Sequence, residues 1–381
     1  YECVPMRFIK HVYKIHTYTQ DGRLFEGKTP VSAFLNSSYD GSFIAGLMEL
    51  RYIQSLPVER IINYFESHGF TLKKPTAHKL IEKASSLFEN LYKCIRQTAL
   101  SDPYKAADET YYKILVPEKN SKGKGVSKGY LWVVVGINTR MIYLLYDDGS
   151  RSEKVILNEL GGCKGIIQSD GYSPYRKLES DAYPNITRIP CLQHIKRKFI
   201  DCGEKDPDAK RIVELINALY QNEHKHKVGV EGWTVEQNLM HRKKYAPDIL
   251  GEIKDVLDEI EERGDLLPKS ELQEAITYLR NEWNAVVDIF NYGDTYLDNN
   301  IVERMNRYIS LSRKNSLFFG SHKGAERGAI LYTIALTCRM HKVNLFEYLT
   351  DVINRTAEWQ PNTPLEKYRE LLPDRWEKAN G

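Results

Sequence analysis

Three acidic positions in this chain could share divalent cations: Asp108 or its neighbour Glu109, then Asp170, then Glu303. Carboxylate oxygens suit hard ions such as Mg²⁺ and Mn²⁺. Two such ions about 4 Å apart can activate an attacking oxygen and stabilise the leaving oxygen of a phosphodiester. No acid is diagnostic alone. Asn300 followed by Glu303 reads first as a capping-box helix start, and an acid on a strand end is often only solvated. Adjacent strand residues face opposite ways, so Asp108 and Glu109 cannot both face the ions. Spacing leaves that choice open.

The elements that must position these acids are legible in outline. Asp108–Val116 has strand character, and a Lys/Gly/Ser-rich loop from Glu118 to Gly129 follows. Tyr130–Ile137, the turn Asn138-Thr139-Arg140 and Met141–Tyr146 complete an antiparallel meander. A helix fits Arg151–Leu160 and stops at Gly161-Gly162. Gly165–Asp170 is a short buried strand with its acid at the tip. Asn185–Pro190 is another strand, and a basic helix spans His194–Ile200. That order predicts an α/β protein with a ribonuclease-H-like core.

Residues 203–296 have helical periodicity, with helices around Ile212–Leu219, Ala246–Glu262 and Ser270–Phe290. They lie between the second and third acids, so they are expected to be a helical insertion. The core would then comprise residues 101–202 and 297–345, the latter ending in a helix over Ala325–Met340. A tail over 346–381, with Leu371-Leu372-Pro373-Asp374-Arg375-Trp376, should pack back on the body. Residues 1–40 are expected to be an irregular N-terminal remnant. The chain starts without Met, which suggests an upstream part.

Residues 41–100 form a helical, helix-turn-helix-like region. Ile44, Leu47, Met48 and Tyr52 follow helical spacing, Pro57 opens a second helix and Gly69 stops it. A third helix is expected from about Thr76 through Ile95, with Leu80, Ile81, Ala84, Leu87, Phe88 and Leu91 on one stripe. Lys73, Lys74, His78 and Lys79 around its start could meet DNA phosphates. A plain helical hairpin would look the same.

Hydrophobic residues make up 42% and charged residues 28% of the chain, as in ordinary globular protein. No apolar run is long enough to span a bilayer and the start is no signal peptide, so no membrane partner and a cytoplasmic site are expected. The cysteines are scattered without a C-x-x-C pair, which fits a reducing compartment. Cys3, His11 and His16 match no zinc spacing. Cys191 and His194 supply only two possible ligands, so a structural or active-site supporting role is expected of them. The net charge of +3 hides an uneven distribution: Glu303–Val343 has eight Lys/Arg against two acids, Asp248–Glu274 ten acids against three bases. Lys196, Arg197 and Lys198, and more so Arg304, Arg307, Arg313, Lys314 and Asn315, are candidate DNA contacts, since charge neutralisation dominates such binding. A solvated basic face is the plainer alternative.

Six pieces in order resemble the IS66 family of bacterial insertion-sequence transposases, which are DDE enzymes. They are Asp108-Glu109-Thr110; Gln168-Ser169-Asp170-Gly171-Tyr172-Ser173-Pro174-Tyr175; Cys191-Leu192-Gln193-His194-Ile195-Lys196-Arg197-Lys198-Phe199; Asp298-Asn299-Asn300-Ile301-Val302-Glu303-Arg304; Ser312-Arg313-Lys314-Asn315-Ser316-Leu317-Phe318-Phe319-Gly320-Ser321; and Leu371-Leu372-Pro373. The resemblance runs from about Ser42 to the C-terminus. It implies a ribonuclease-H-like catalytic core interrupted by a helical insertion. It also implies Asp108, Asp170 and Glu303 as the metal-binding catalytic triad, which favours Asp108 over Glu109, with Mg²⁺ or Mn²⁺, in two ions, as cofactor. The implied reaction is hydrolysis at the element ends followed by transesterification into target DNA. Implied partners are double-stranded DNA, further copies of the chain on that DNA and accessory proteins, in a bacterial, nucleoid-associated setting. The family's four-cysteine zinc module is not matched: its second pair would fall where this chain has Tyr13-Lys14-Ile15-His16-Thr17-Tyr18-Thr19. A DNA-binding remnant without catalysis, or a nuclease that cuts but does not join, are the alternatives.

Overall fold

Leu131 to Val135 is a run of five apolar residues with no exposure, the signature of a strand covered on both faces. It is the centre of the fold. The computed structural model describes all residues except 3, 28–31, 35–36, 119–122, 124, 204–205, 231, 361 and 378–381. Cys3 and much of the Lys/Gly/Ser-rich loop fall outside the described residues.

An exposed hairpin, β1 (Thr17–Gln20) and β2 (Arg23–Glu26), precedes the body. Four helices follow: α1 (Gly41–Met48, continued by a π turn to Ile53), α2 (Val58–Ser67), α3 (Lys74–Leu87) and α4 (Glu89–Ser101). Next come β3 (Tyr104–Leu115), β4 (Val126–Gly136), β5 (Ile142–Leu145), α5 (Glu153–Leu160), β6 (Gly165–Ser169), the short α6 (Ser173–Arg176), β7 (Ile186–Pro190) and α7 (Leu192–Asp201). Helices α8 (Pro207–Asn222), α9 (Val235–Arg263) and α10 (Glu271–Ile289) precede α11 (Asn300–Asn315). The two-residue β8 (Phe318–Phe319), α12 (His322–Met340), α13 (Leu345–Thr356) and α14 (Leu365–Glu370) complete the chain.

The α/β class expected from the sequence holds: one mixed sheet surrounded by many helices. Its order is β5-β4-β3-β6-β7, with β3, β4 and β5 antiparallel and β6 and β7 parallel to β3. Strand β6 pairs only with Tyr104–Ala106 of β3, and β8 pairs only with Lys113 and Ile114. Between them the edge of β3 is open, and α11 crosses the opening. Asn299 Nδ2 donates to the carbonyl of Ala107 (3.0 Å) and the Arg313 guanidinium donates to that of Tyr111. Both ends of α11 are thus tied to the edge that β6 and β8 leave unpaired, so these carbonyls are not stranded.

Two cores hold the layers. One joins β3–β5 to α1–α5 and α11–α13, and it includes Leu371 and Leu372, so the tail packs back as expected. The other joins Tyr104, Ile166 and Ile189 of the sheet to α7, α8, α9 and α10. Gly165 starts β6 at φ +90°, and a Cβ there would lie 2.2 Å from the Pro103 carbonyl oxygen, so only glycine fits where β6 meets the start of β3.

Several boundaries differ from the sequence reading. The helix expected from Thr76 to Ile95 is two helices meeting at buried Phe88. Both helices pack on α12, but α3 otherwise packs on α1 and α2 and α4 on β4, β5 and α14, and these partners demand different axes. Strand β3 begins at Tyr104, earlier than Asp108. Its second residue is Lys105, wholly buried with its ammonium donating to the carbonyls of Asp102 and Lys164, and this lysine masks the apolar run. Helix α9 starts at Val235, not Ala246. A reciprocal Thr234/Gln237 capping box opens it, and Pro247 lies inside it. Its first turns bury Asn238 and Arg242 rather than apolar residues.

Candidate active site

The site forms where β3, β6, α7 and α11 meet. Asp108 lies on β3 two residues beyond its last pairing with β6, at the open edge. Asp170 follows the last residue of β6. The Asp108 carboxyl accepts hydrogen bonds from Asn306 Nδ2 (2.7 Å) and the Glu109 N–H (2.8 Å). Burial, together with the negative charges of Glu109 and Asp170, pushes this carboxyl up to about 7, which the two hydrogen bonds only partly offset. Both donors are neutral.

Burial raises Glu109 as well, but it differs from Asp108 in having a cation. Arg151 donates to Oε1 from Nη2 (2.5 Å) and Nε (3.1 Å), and Tyr175 Oη donates to Oε2 (3.4 Å). Of the adjacent acids, Glu109 has a cation and Asp108 has none. A cation placed here gains most from Asp108.

Glu303 sits in the first turns of α11, one turn before Asn306. The capping-box reading does not hold: the N-cap is Asn299, with no side-chain cap hydrogen bond, and the Asn299 amide is committed to Ala107 instead. Glu303 Oε1 is buried without a hydrogen-bond partner and lies 3.7 Å from His194 Nε2. His194 and Asp170 line one cleft of about 260 Å³, whose wall also carries Arg151, Arg197, Lys198 and Tyr278. The negative charge of Asp170 acts on the Asp108 carboxyl. Glu303 faces His194, which lines the cleft with Asp170, and lies one turn before Asn306, whose amide holds Asp108. Cys191, the N-cap of α7, is buried, and burial pushes its thiol up to about 12; it accepts the Asn299 N–H at 3.2 Å.

Two supports were not found by sequence reasoning. Arg188 of β7, wholly buried, donates to the Asp170 carbonyl (2.7 Å), to Ser169 Oγ (3.0 Å) and to Glu282 of α10 (2.5 Å). The loop after Asp170 is held by Tyr278, whose hydroxyl accepts the Gly171 N–H at 2.8 Å. A Cβ on Gly171 would lie 2.5 Å from that hydroxyl oxygen. The available signal was an arginine inside the apolar strand Ile186-Thr187-Arg188-Ile189-Pro190. A charge there must be buried and paired.

The expected DNA-contact residues divide into groups. Arg197 and Lys198 line the cleft beside Asp170, Lys198 also lying 5.8 Å from the Tyr278 ring centroid. Lys196 points instead to Tyr220, 5.9 Å from its ring centroid. Arg304 and Arg307 are exposed on α11, as is Lys314. Arg313 is already engaged, stacked 4.0 Å from the Tyr111 ring centroid, and Asn315 donates to the Ser55 carbonyl (3.2 Å). Lys73, Lys74 and Lys79 stand exposed at the start of α3, Lys74 paired with Glu59. No hydrogen bond or ion pair joins these three to the acids of the site.

Among the described residues no helix is long and apolar enough to cross a membrane. Comparison with known proteins gives the context. Residues 36–327 match the family described as Transposase IS66 family. The chain is 25% identical to the uncharacterized protein y4jD of Sinorhizobium fredii over 87% of its own length and 65% of that protein's. It is 24% identical to y4hP of the same organism over 100% of this chain and 70% of the relative, and 29% identical to y4qI over 68% and 49%. It thus spans 49–70% of these relatives' lengths, and the matched region takes in β3, β6, α7 and α11 with all the acids described above. This chain belongs to the IS66 family of transposases.

Proposed function

We propose that this chain carries the phosphodiester chemistry of a DDE transposase, cutting DNA at the ends of an insertion sequence and joining the freed 3′-hydroxyls to target DNA. The observation that carries this reading is the uncompensated Asp108 carboxyl beside Asp170 at the open edge of β3. Among the described residues its only hydrogen-bond donors are the neutral Asn306 amide and Glu109 N–H, and burial together with the charges of Glu109 and Asp170 raises it, so a cation is favoured there. An all-oxygen donor set with that deficit fits Mg²⁺ or Mn²⁺. Asp108 and Asp170 would hold such ions, with Glu303 as the third carboxylate. When bound, two ions supply charge for the attacking and leaving oxygens of the phosphodiester.

The chain's own residues do the remaining work. Asn306 fixes the Asp108 carboxyl, and Arg188 and Tyr278 hold the two sides of the peptide group that follows Asp170. Arg197 and Lys198 present positive charge to a DNA backbone entering the cleft, and Arg304 and Arg307 extend that charge along α11. His194 lies where a proton could be exchanged with Glu303 or a substrate oxygen.

The strand order, an antiparallel β5-β4-β3 followed by parallel β6 and β7, supports a ribonuclease-H-like core over 101–202 and 297–345. Helices α8–α10, packed together in the second core against α7 and one part of the sheet, support an insertion over 203–296. In this reading 41–100 is the helix-turn-helix-like DNA-binding region, 1–40 an N-terminal remnant and 346–381 a tail. Double-stranded DNA, further copies of the chain on paired ends, accessory proteins of the element and a nucleoid setting in the bacterial cytoplasm belong to the same proposal.

The test is Mn²⁺ titration followed by electron paramagnetic resonance, beside assays on element-end DNA. Asp108→Asn, Asp170→Asn and Glu303→Gln should each lose Mn²⁺ binding and both cleavage and joining while remaining folded. Cleavage without joined products by the wild type would leave a nuclease. Equal Mn²⁺ binding by wild type and variants would refute the metal assignment.

A further inference from the structure

Cys191, His194 and Glu303 form a second donor set, chemically unlike the oxygen donors of Asp108 and Asp170. One ligand atom from each, a thiol sulfur, an imidazole nitrogen and a carboxylate oxygen, lies within 4.8 Å of the others. No other such group of His, Cys, Asp or Glu occurs among the described residues.

Three details distinguish this cluster from a chance meeting. Glu303 Oε1 is buried and accepts no hydrogen bond, though a carboxylate oxygen removed from water ordinarily finds a donor. The nearest candidate, His194 Nε2, is 3.7 Å away, too far for a hydrogen bond. It is close to the separation of about 3.3–3.8 Å that metal–ligand distances of about 2.0–2.3 Å impose around a tetrahedral ion. Finally, Cys191 Sγ accepts the Asn299 N–H at 3.2 Å, a bond that would help hold a thiolate and orient it. The backbone makes the arrangement rigid: Cys191 and His194 lie on the first turn of α7, and Asn299 and Glu303 on the first turns of α11. The main chains of Ser169 and Leu297 fix α7 from both sides, accepting the Cys191 and Leu192 N–H groups at 3.0 and 2.9 Å.

We propose that Cys191 Sγ, His194 Nε2 and Glu303 Oε1 bind one Zn²⁺-class ion, with a fourth position left to water or substrate. Mixed sulfur, nitrogen and oxygen ligands select such a borderline ion over Mg²⁺, and three protein ligands with an open position is a recurring zinc arrangement. Binding displaces the thiol proton to solvent and leaves Glu303 Oε1 with the positive partner it lacks. Because Glu303 is also the third acid of the proposed catalytic set, an ion here would compete for it with the ions at Asp108 and Asp170. The site itself does not depend on that reading, since its ligands come together whatever the reaction is.

Co²⁺ titration of the purified chain tests this, because a thiolate–Co²⁺ bond adds a charge-transfer band in the near ultraviolet. The wild type should show that band at one equivalent, with visible bands of four-coordinate intensity, and Zn²⁺ should abolish both. Cys191→Ser should lose the charge-transfer band. His194→Gln and Glu303→Gln should each weaken Co²⁺ binding by more than about 100-fold, beyond the 10–100-fold of an outer contact. Asp108→Asn and Asp170→Asn should bind Co²⁺ here as the wild type does while losing Mn²⁺, so the failure of either metal assignment is read separately. If Cys191→Ser does not fold, the more exposed His194→Gln decides alone. A band that survives Cys191→Ser or His194→Gln in folded protein overturns the proposal. So does Co²⁺ binding without a thiolate band, as expected if His194 and Glu303 are only an ion pair.

Discussion

Asp108→Asn should make the metal-free protein more stable, and only where Asp108 would be charged. Burial and the neighbouring carboxylates raise this group from 3.8 to about 7. An acid raised on folding binds its proton more tightly in the native state, so stability falls as pH rises between the unfolded and folded values. The penalty is absent below about pH 4, grows through pH 5 and 6 and is complete above about pH 7. Its ceiling is roughly 3 pH units at 1.36 kcal/mol each, about 4 kcal/mol. Water penetration and the coupling to Glu109 and Asp170 make about 2 kcal/mol a fair lower figure. With an unfolding entropy near ~2.1 cal/mol/K per residue, this chain gains ~2–5 °C in Tm.

The substitution should fit without strain. Asn306 Oδ1 is buried and unpartnered, so a flip of the Asn306 amide lets it accept from the side-chain NH₂ that replaces one carboxylate oxygen. The Glu109 N–H keeps its acceptor. The assay is thermal unfolding in chelator at pH 5 and pH 8, of wild type and variant, repeated with excess Mn²⁺. The variant should exceed the wild type at pH 8, exceed it by less at pH 5, and lose its advantage once Mn²⁺ is added. A variant equal to or below the wild type at pH 8 in chelator would refute the argument that Asp108 is an uncompensated charge.

Arg188→Leu leaves Glu282 buried without its main cation and loosens the backbone at Asp170, so it should cost about 3–5 kcal/mol by denaturant unfolding. Adding Glu282→Leu should recover much of that stability, and failure to recover it would show that Arg188 matters for its other bonds. Arg304→Ala with Arg307→Ala should leave Tm unchanged within the range of surface substitutions, about 0.5 kcal/mol. The same pair should weaken DNA binding and lower the slope of log affinity against log salt by about 0.9 for each phosphate no longer neutralised. An unchanged slope would remove α11 from the DNA interface.

What was legible in the chain follows from how local each signal is. The strands over Leu131–Val135 and Gly165–Asp170 announce themselves because apolar runs and turn residues act on their own neighbours. Helix α10 was readable to within a residue because Ser270 caps it and its buried face is apolar at every position but Glu282. The first turns of α9 were not readable, because Asn238 and Arg242 face inward there. Arg242 donates to Glu223, to Thr295 and to the carbonyls of Ile289 and Tyr292, so its burial is satisfied by groups outside its own helix. Lys105 hid the start of β3 for the same reason, whereas β7 was legible despite Arg188.

The candidate site divides along that line. The sequence by itself determined the family, the order of elements and which acids could serve, since residue type and order survive without coordinates. Asp108 and Glu109 are identical to any pattern of charge. Only the tertiary structure decided that Arg151 supplies one with a cation and Tyr175 with a hydrogen bond while the other meets an amide 198 residues away. It also decided that Glu303 faces His194 instead of capping its helix. A carboxylate's chemistry is set by the charges and donors within a few ångströms, and here those come from strands and helices remote in the chain.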